Sequence, residues 1–416
     1  MAQPLSLRRV NKLVRNMLGL VPVEHWEHRF NDLLRSMVTV IRTRKQVGML
    51  RIPGLGDCIP VRSGRAGLVA AIKALSLPLG ARIGVPLYCC PVVFKAVEAA
   101  NCKVRFIDVE AGSCCMSAED LSAKREKLDA VIAVHMFGNM CDMRALQEAA
   151  QGKPIIEDCA QSIGSRLEGR IAGSFGTIAF FSFRSGKYLS AGEGGAVFSS
   201  QEEIRTRLSE LMAVAPFPGS ADECVHVAAI YVRSLLRSKP LYGVVGYPLW
   251  NIYNKQVDYS AKSPIIVSKI YKADLAIAKR RLALLDSAIE AQRANANVYS
   301  RTLKLDGSIL CSEKPGTYFN RYLYPITFPS SEDRDLIAAY LFDHKIGTIK
   351  PYKDIVDVAV AHYAYEGDCA VAEQMAKRVL VIPNNYSLKK EEVQRIAECL
   401  NSGWQEIMSR GRNPGL

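Results

Sequence analysis

Residues 155–198 contain IIEDCAQSIGS and then GSFGTIAFFSFRSGKYLSAGEGGAVF. Asp158 closes an apolar, strand-like run, and Lys187 follows another such run in a loop of serines and glycines. Alone, each has an ordinary explanation: the acid caps a helix and the lysine is solvated. Together they supply two groups that pyridoxal 5′-phosphate requires, an amine to form an imine and a carboxylate to keep the ring nitrogen protonated. The protonated ring stabilises the charge left on a substrate carbon when its proton departs. Burial strengthens the pairing of Asp158 with a cation, and glycines let the backbone approach a cofactor closely. The same lysine, once released, can shuttle that proton as a base if its pKa is lowered.

A third element is an anion site. VRSGRAGLVAAIKAL sets Ser63, Gly64 and Arg65 before a helical pattern over residues 66–75, and the free N–H groups and dipole at a helix start favour a phosphate. By itself this is an ordinary capped helix. Ser182, near the end of the run before Lys187, is placed to add a hydroxyl to the same phosphate. No metal centre is expected, because the twelve cysteines include no C-x-x-C spacing. The neighbours Cys89-Cys90 and Cys114-Cys115 rarely bridge, so they read as reduced thiols of a cytoplasmic protein.

An α/β frame would position these groups. Strand-like runs at 81–85, 104–109, 130–135, 155–157, 177–183 and 195–199 alternate with helical patterns, as in a mostly parallel sheet. A helical pattern over 275–303 leads to a smaller α+β unit, with a strand expected over 322–328 and helices over 332–342 and 389–399. The expected organisation is a basic amphipathic segment (1–45), a large cofactor-binding α/β domain (46–265) with an apolar, basic insertion (225–262), and a linking helix with a small C-terminal domain (266–416). At 416 residues and 49% apolar content, the chain can bury a large core. Residues 1–20 lack the unbroken apolar stretch of a signal peptide.

The motifs resemble those of the DegT/DnrJ/EryC1/StrS sugar aminotransferases, over roughly 58–205 and 270–405. SGRAGL is similar to that family's SGTAAL, VPLYCCPVV to VPAYTF, VHMFGNMCDM to VHLYGQPADM and IIEDCAQSIGS to VIEDAAQALGA. SFRSGKYLSAGEGGAV is similar to SFHPTKNLTTGEGGAV, and VAEQMAKRVLVIPNNYSL to VAERLAERVLSLPLHPGL. The resemblance implies a fold-type I aminotransferase with a mostly parallel seven-stranded sheet between helices, a smaller C-terminal α+β domain, pyridoxal 5′-phosphate as cofactor, and a homodimer. It places Lys187 at the Schiff base, Asp158 at the ring nitrogen, Gln161 at the phenolic oxygen, and Gly64, Arg65 and Ser182 at the phosphate. It implies amino transfer from a small-molecule donor, glutamate, to a keto sugar carried on a nucleotide or lipid. Such products serve cell-surface polysaccharide, lipopolysaccharide or secondary-metabolite synthesis. The retained lysine disfavours the family's dehydratase branch, which has histidine there. Another pyridoxal phosphate reaction, or a regulatory or scaffolding role on the same fold, stays open.

Four departures stand out. Cys90 replaces an aromatic residue that stacks on the cofactor, so either Tyr88 covers the ring or that face is bare, and Cys90 itself reads first as a small packing residue. Arg184 replaces a histidine and reads equally as a solvated loop arginine or as a bidentate grip on a substrate carboxylate or phosphate. The family's GYNYRM segment, which reaches the partner subunit's phosphate, has no clear counterpart, and its asparagine falls near Val267, Ser268 and Lys269. The usual N-terminal segment is replaced by a basic one.

The formal charge of +13 is local. Nine Lys/Arg against Glu24, Glu27 and Asp32 fill residues 1–45, and Arg233, Arg237, Lys239, Lys255 and Lys262 against Asp258 fill 225–262. Residues 5–20 form an amphipathic basic pattern. The second segment sets Tyr231, Tyr242, Tyr247, Trp250 and Tyr253 beside cations and is too charged and proline-broken to span a membrane. Packing on the enzyme or its dimer partner explains both segments; so does peripheral contact of a cytoplasmic protein with the anionic inner face of the cell membrane. Nucleic acid is not expected, since the cations follow apolar faces and no nucleic-acid-binding motif is present.

Overall fold

The computed structural model describes residues 17–42, 48–238, 241–249, 265–310, 312–313 and 315–411. Short apolar runs fold into strands β1 (Leu50–Ile52), β2 (Gly56–Val61), β3 (Arg82–Pro86), β4 (Lys103–Ile107), β5 (Ala130–Val134), β6 (Ile155–Asp158), β7 (Ile178–Ser182) and β8 (Gly195–Phe198). They form one sheet in the order β1-β2-β8-β7-β6-β5-β3-β4. Pairs within β4-β3-β5-β6-β7 are parallel, whereas β8 runs antiparallel to both β7 and β2. Every residue of AVIAV in β5 is buried, as a strand covered on both faces requires. Seven strands were expected and eight are present, because Leu50–Ile52 folds back on β2 as an edge hairpin.

This topology aims the carboxyl ends of β2, β3, β5, β6 and β7 at one rim. Ligands of open α/β sheets gather there. The helix after β2, Gly64–Ala74, starts at the rim with Ser63 as its cap, the side chain accepting from the Ala66 N–H at 3.2 Å.

The helical pattern at 275–303 forms two helices, Lys272–Leu282 and Leu285–Thr302. No proline or glycine breaks it; Leu284 adopts φ −109° and ψ 4° and its N–H closes on the Arg281 carbonyl. The second helix leads to a three-stranded antiparallel sheet of Ile309–Leu310, Tyr324–Thr327 and Val379–Ile382. That sheet shares a core with Ile337, Leu341, Ile396, Leu400 and Trp404.

The basic segments lie against this frame. Val21 exchanges two backbone hydrogen bonds with Lys345 and Gly347, each 2.9 Å. The chain then crosses the rim and enters the helix Phe30–Arg42, which packs on Ser220–Arg237 and Lys272–Leu282. The amphipathic pattern at 5–20 falls almost wholly outside the described residues, as do Trp250 and Tyr253. No helix among the described residues is long and apolar enough to cross a membrane.

Candidate active site

Asp158 ends β6 with 6% of its surface exposed. Its Oδ1 accepts the Ala160 N–H at 2.9 Å. Burial pushes its carboxyl up to about 6, against the pull of the Lys187 charge. Lys187 lies in the loop after β7, where its N–H bonds the Arg184 carbonyl and its own carbonyl accepts from Ser190, each at 3.0 Å. Burial, helped by the Arg184 guanidinium, lowers its ammonium to about 8. The amine stands 4.4 Å from the centre of the Tyr322 ring. Near neutrality such a lysine keeps a reactive fraction without its proton.

Gln161 is buried beside them. Its Oε1 accepts the Phe137 N–H at 3.1 Å and its Nε2 lies 3.4 Å from the Tyr352 hydroxyl. At the end of the neighbouring strand β7, a Cβ on Gly64 would meet the Cβ of Ser182 at 2.8 Å. Glycine is therefore needed for the helix start to lie against Ser182. Ser63 spends an acceptor on its own helix, and Arg65 is exposed. Tyr88 is fully buried, packed edge-on against Phe137 and Tyr352, with its hydroxyl donating to the Pro351 carbonyl at 3.2 Å. Cys90 is half-buried at the start of the helix Pro91–Ala99.

These residues fit pyridoxal phosphate. The amine is partly unprotonated, the buried acid could offer a charge to a ring nitrogen, and the helix start at Gly64 lying against Ser182 would offer backbone N–H groups and a hydroxyl to a phosphate.

Five residues at the rim were not foreseen. Tyr352 takes φ 54° and reaches Gln161. Glu24, Trp26, Arg237 and Tyr322 converge beside Lys187. Glu24 lies 3.5 Å from Arg184 and 3.8 Å from Arg237, and accepts from the Tyr322 hydroxyl at 3.2 Å and the Trp26 indole at 3.4 Å. Burial alone would raise its carboxyl, but Arg184, Arg237 and Lys187 outweigh burial and hold it below its usual range. Glu24 and Lys187 line a small pocket with Gln292, Tyr322, Asn385 and Tyr386. The only signal for Glu24 was its place as one of three acids in a basic segment. Of the residues near the missing GYNYRM contact, Ser268 accepts from the Arg62 N–H and Lys269 sits 3.9 Å from the Phe217 ring centre.

A model of the DegT/DnrJ/EryC1/StrS aminotransferase family matches residues 51–227 and 252–401, passing over the N-terminal segment and residues 228–251. GDP-perosamine synthase of Escherichia coli O157:H7 is 24% identical over 83% of this chain and 85% of its own length. The L-glutamine:2-deoxy-scyllo-inosose aminotransferase of Streptomyces fradiae is 34% identical over 38% of each chain. Among solved structures, the aminotransferase TlmJ of Streptoalloteichus hindustanus superposes with a TM-score of 0.72 at 20% identity, over 94% of this chain and 100% of that one.

Proposed function

This chain belongs to the DegT/DnrJ/EryC1/StrS aminotransferase family, and on that premise we propose that it binds pyridoxal phosphate through Lys187 and moves an amino group from glutamate to a keto sugar. The observation that carries this is the pair of opposed shifts at the rim, with Asp158 raised to about 6 and Lys187 lowered to about 8. The two shifts converge on neutrality, so near pH 7 the acid keeps its charge while the amine keeps a fraction without its proton, as a ring-nitrogen partner and a proton-shuttling base require. Bound pyridoxal phosphate supplies an electron sink that lets the hydrogen on an amine-bearing carbon leave as a proton. Lys187 takes that proton at Nζ and returns it. Asp158 would hold its charge toward the ring nitrogen, Gln161 would hold the phenolic oxygen, and Ser63, Gly64, Arg65 and Ser182 would surround the phosphate. Tyr88 and Tyr352 wall the site against water.

The test is isotopic. With ¹⁵N-glutamate and a nucleotide-linked keto sugar, the product should carry ¹⁵N; a parallel arm with glutamine labelled at both nitrogens covers the donor named for one relative. A sugar returned without label from both arms contradicts the reading.

The reading also carries a homodimer, checked by sedimentation, and a cytoplasmic protein docked on an anionic membrane. Support for docking comes from the helix Phe30–Arg42, which exposes Phe30, Leu34, Val38 and Ile41 along one face, next to a helix exposing Val225, Val232 and Leu235. No acid lies between Asp32 and Asp57 or between Glu223 and Asp258, while the exposed Arg35, Arg42 and Arg233 do. A second copy of this chain would bring like charges together; an anionic lipid surface complements them. Flotation with phosphatidylserine vesicles at low salt should carry the protein up, and absence of binding rejects the docking.

A further inference from the structure

Glu24 is an acid set among the charges of Arg184, Arg237 and Lys187 by a segment that the family model does not cover. Its contacts to Arg184 and Arg237, at 3.5 and 3.8 Å, are long and single rather than the paired, short bonds of a settled carboxylate–arginine fork. Arg184 is also 48% exposed on its side chain. The strap bearing Glu24 is pinned at its ends. Val21 holds one end through Lys345 and Gly347, and the His28 N–H holds the other on the Ser234 hydroxyl at 3.0 Å. Between them, side chains provide the anchors: Asn385 reaches the Pro22 and Val23 carbonyls at 3.3 and 3.4 Å, and Ser234 donates to the Trp26 carbonyl at 2.7 Å. Such a strap can lift in its middle without breaking a strand or helix.

Two guanidinium groups and the Tyr322 hydroxyl thus face one carboxylate beside the lysine amine. That set matches a substrate oxyanion as well as it matches Glu24. Room is also provided on the lysine loop, since a Cβ at Gly186 would lie 2.8 Å from Glu24 Oε2.

We propose that Arg184, Arg237 and Tyr322 form the subsite for a carboxylate or phosphate of the incoming substrate, and that Glu24 is its resident occupant, displaced when the substrate enters. This rests on the reading of Lys187 as the reacting amine. The shared chemistry is an oxyanion; its source is the amino donor's carboxylate or the diphosphate of a sugar nucleotide. An internal competitor weakens apparent affinity by the fraction of time it leaves the site open.

Glutarate, which has two carboxylates and no amine to react, is the probe. Titrated into the full-length holoprotein, it should change the emission of Trp26, whose indole bonds Glu24, and the change should vanish in Trp26→Phe. Glu24→Gln should bind glutarate about tenfold more tightly, whereas Arg237→Gln should bind it at least tenfold more weakly. ADP in place of glutarate identifies the source: the probe that saturates the signal at the lower concentration marks the substrate group the subsite serves. If Glu24→Gln does not fold, hydrogen exchange of wild-type residues 21–28 replaces it, and glutarate or ADP should speed that exchange. Equal or weaker glutarate binding by Glu24→Gln, or strap exchange that both probes leave unchanged or slower, overturns the proposal. Because glutarate cannot donate an amine, failure here leaves the Lys187 reading standing, and failure of amino transfer leaves this binding measurable.

Discussion

Two regions meet at the Lys187 pocket. Asp158, Gln161 and Ser182 sit at the ends of buried parallel strands or just beyond them, inside the matched residues 51–227. Glu24 and Trp26 come from a strap before the matched region, and Arg237 from the unmatched stretch 228–251. The first region is held by dense apolar packing, with the backbone fixing each side chain. The second is held by ion pairs, ring contacts and a few side-chain anchors, and the helices behind it expose apolar stripes. A shared reaction demands the first kind of rigidity. A chain-specific substrate is served by the second, where a change of one or two contacts shifts selectivity by about tenfold for each 1.4 kcal/mol.

The largest effect that separates the regions belongs to the sheet rim. Lys187→Ala should lose the borohydride-fixed cofactor adduct and slow amino transfer by at least ~10³-fold. Mass spectrometry of the peptide around residue 187 checks the adduct; an adduct on another lysine breaks the assignment. Next, Asp158→Asn should slow amino transfer by about 10²–10³-fold. Pyridoxal phosphate affinity in the wild type should fall about tenfold per pH unit below about 6, because the raised Asp158 carboxyl then becomes neutral and loses its attraction for the ring nitrogen. The asparagine variant should show no such dependence, read by equilibrium dialysis across pH 4.5–8.

A smaller effect lies where the regions touch. Gly186 takes φ +93°, and an added Cβ would press on Glu24 and the Trp26 indole. Gly186→Ala should destabilise the fold by about 1–3 kcal/mol in a denaturant titration. The smallest belongs to the outer helix: Ile41→Asp should change stability by less than about 0.5 kcal/mol while weakening vesicle binding. A large stability loss there would mean that Ile41 is packed rather than exposed.

The sheet rim was legible because its signals are local. Apolar runs such as AVIAV mark buried strands, and Asp158 and Lys187 follow two largely apolar ones in sequence. The strap was not legible. Glu24 and Arg184 lie far apart in sequence, and only the tertiary path through Val21 and Ser234 brings them together. In the sequence Arg237 is one cation of a basic, apolar insertion, yet it sits 4.2 Å from the centre of the Trp26 ring. The break at Leu284 carries no proline or glycine, and Tyr352 reaches Gln161 from a left-handed backbone position that tyrosine seldom takes.

The most direct measurement is a single half-reaction. Holoprotein mixed with excess glutamate, without acceptor, should lose its visible cofactor absorbance and release one equivalent of 2-oxoglutarate per active site, and adding a keto sugar should restore the absorbance. Failure to release a keto acid from glutamate, glutamine or any other amino acid, with the cofactor still fixed on Lys187, would contradict amino transfer as the function of this site.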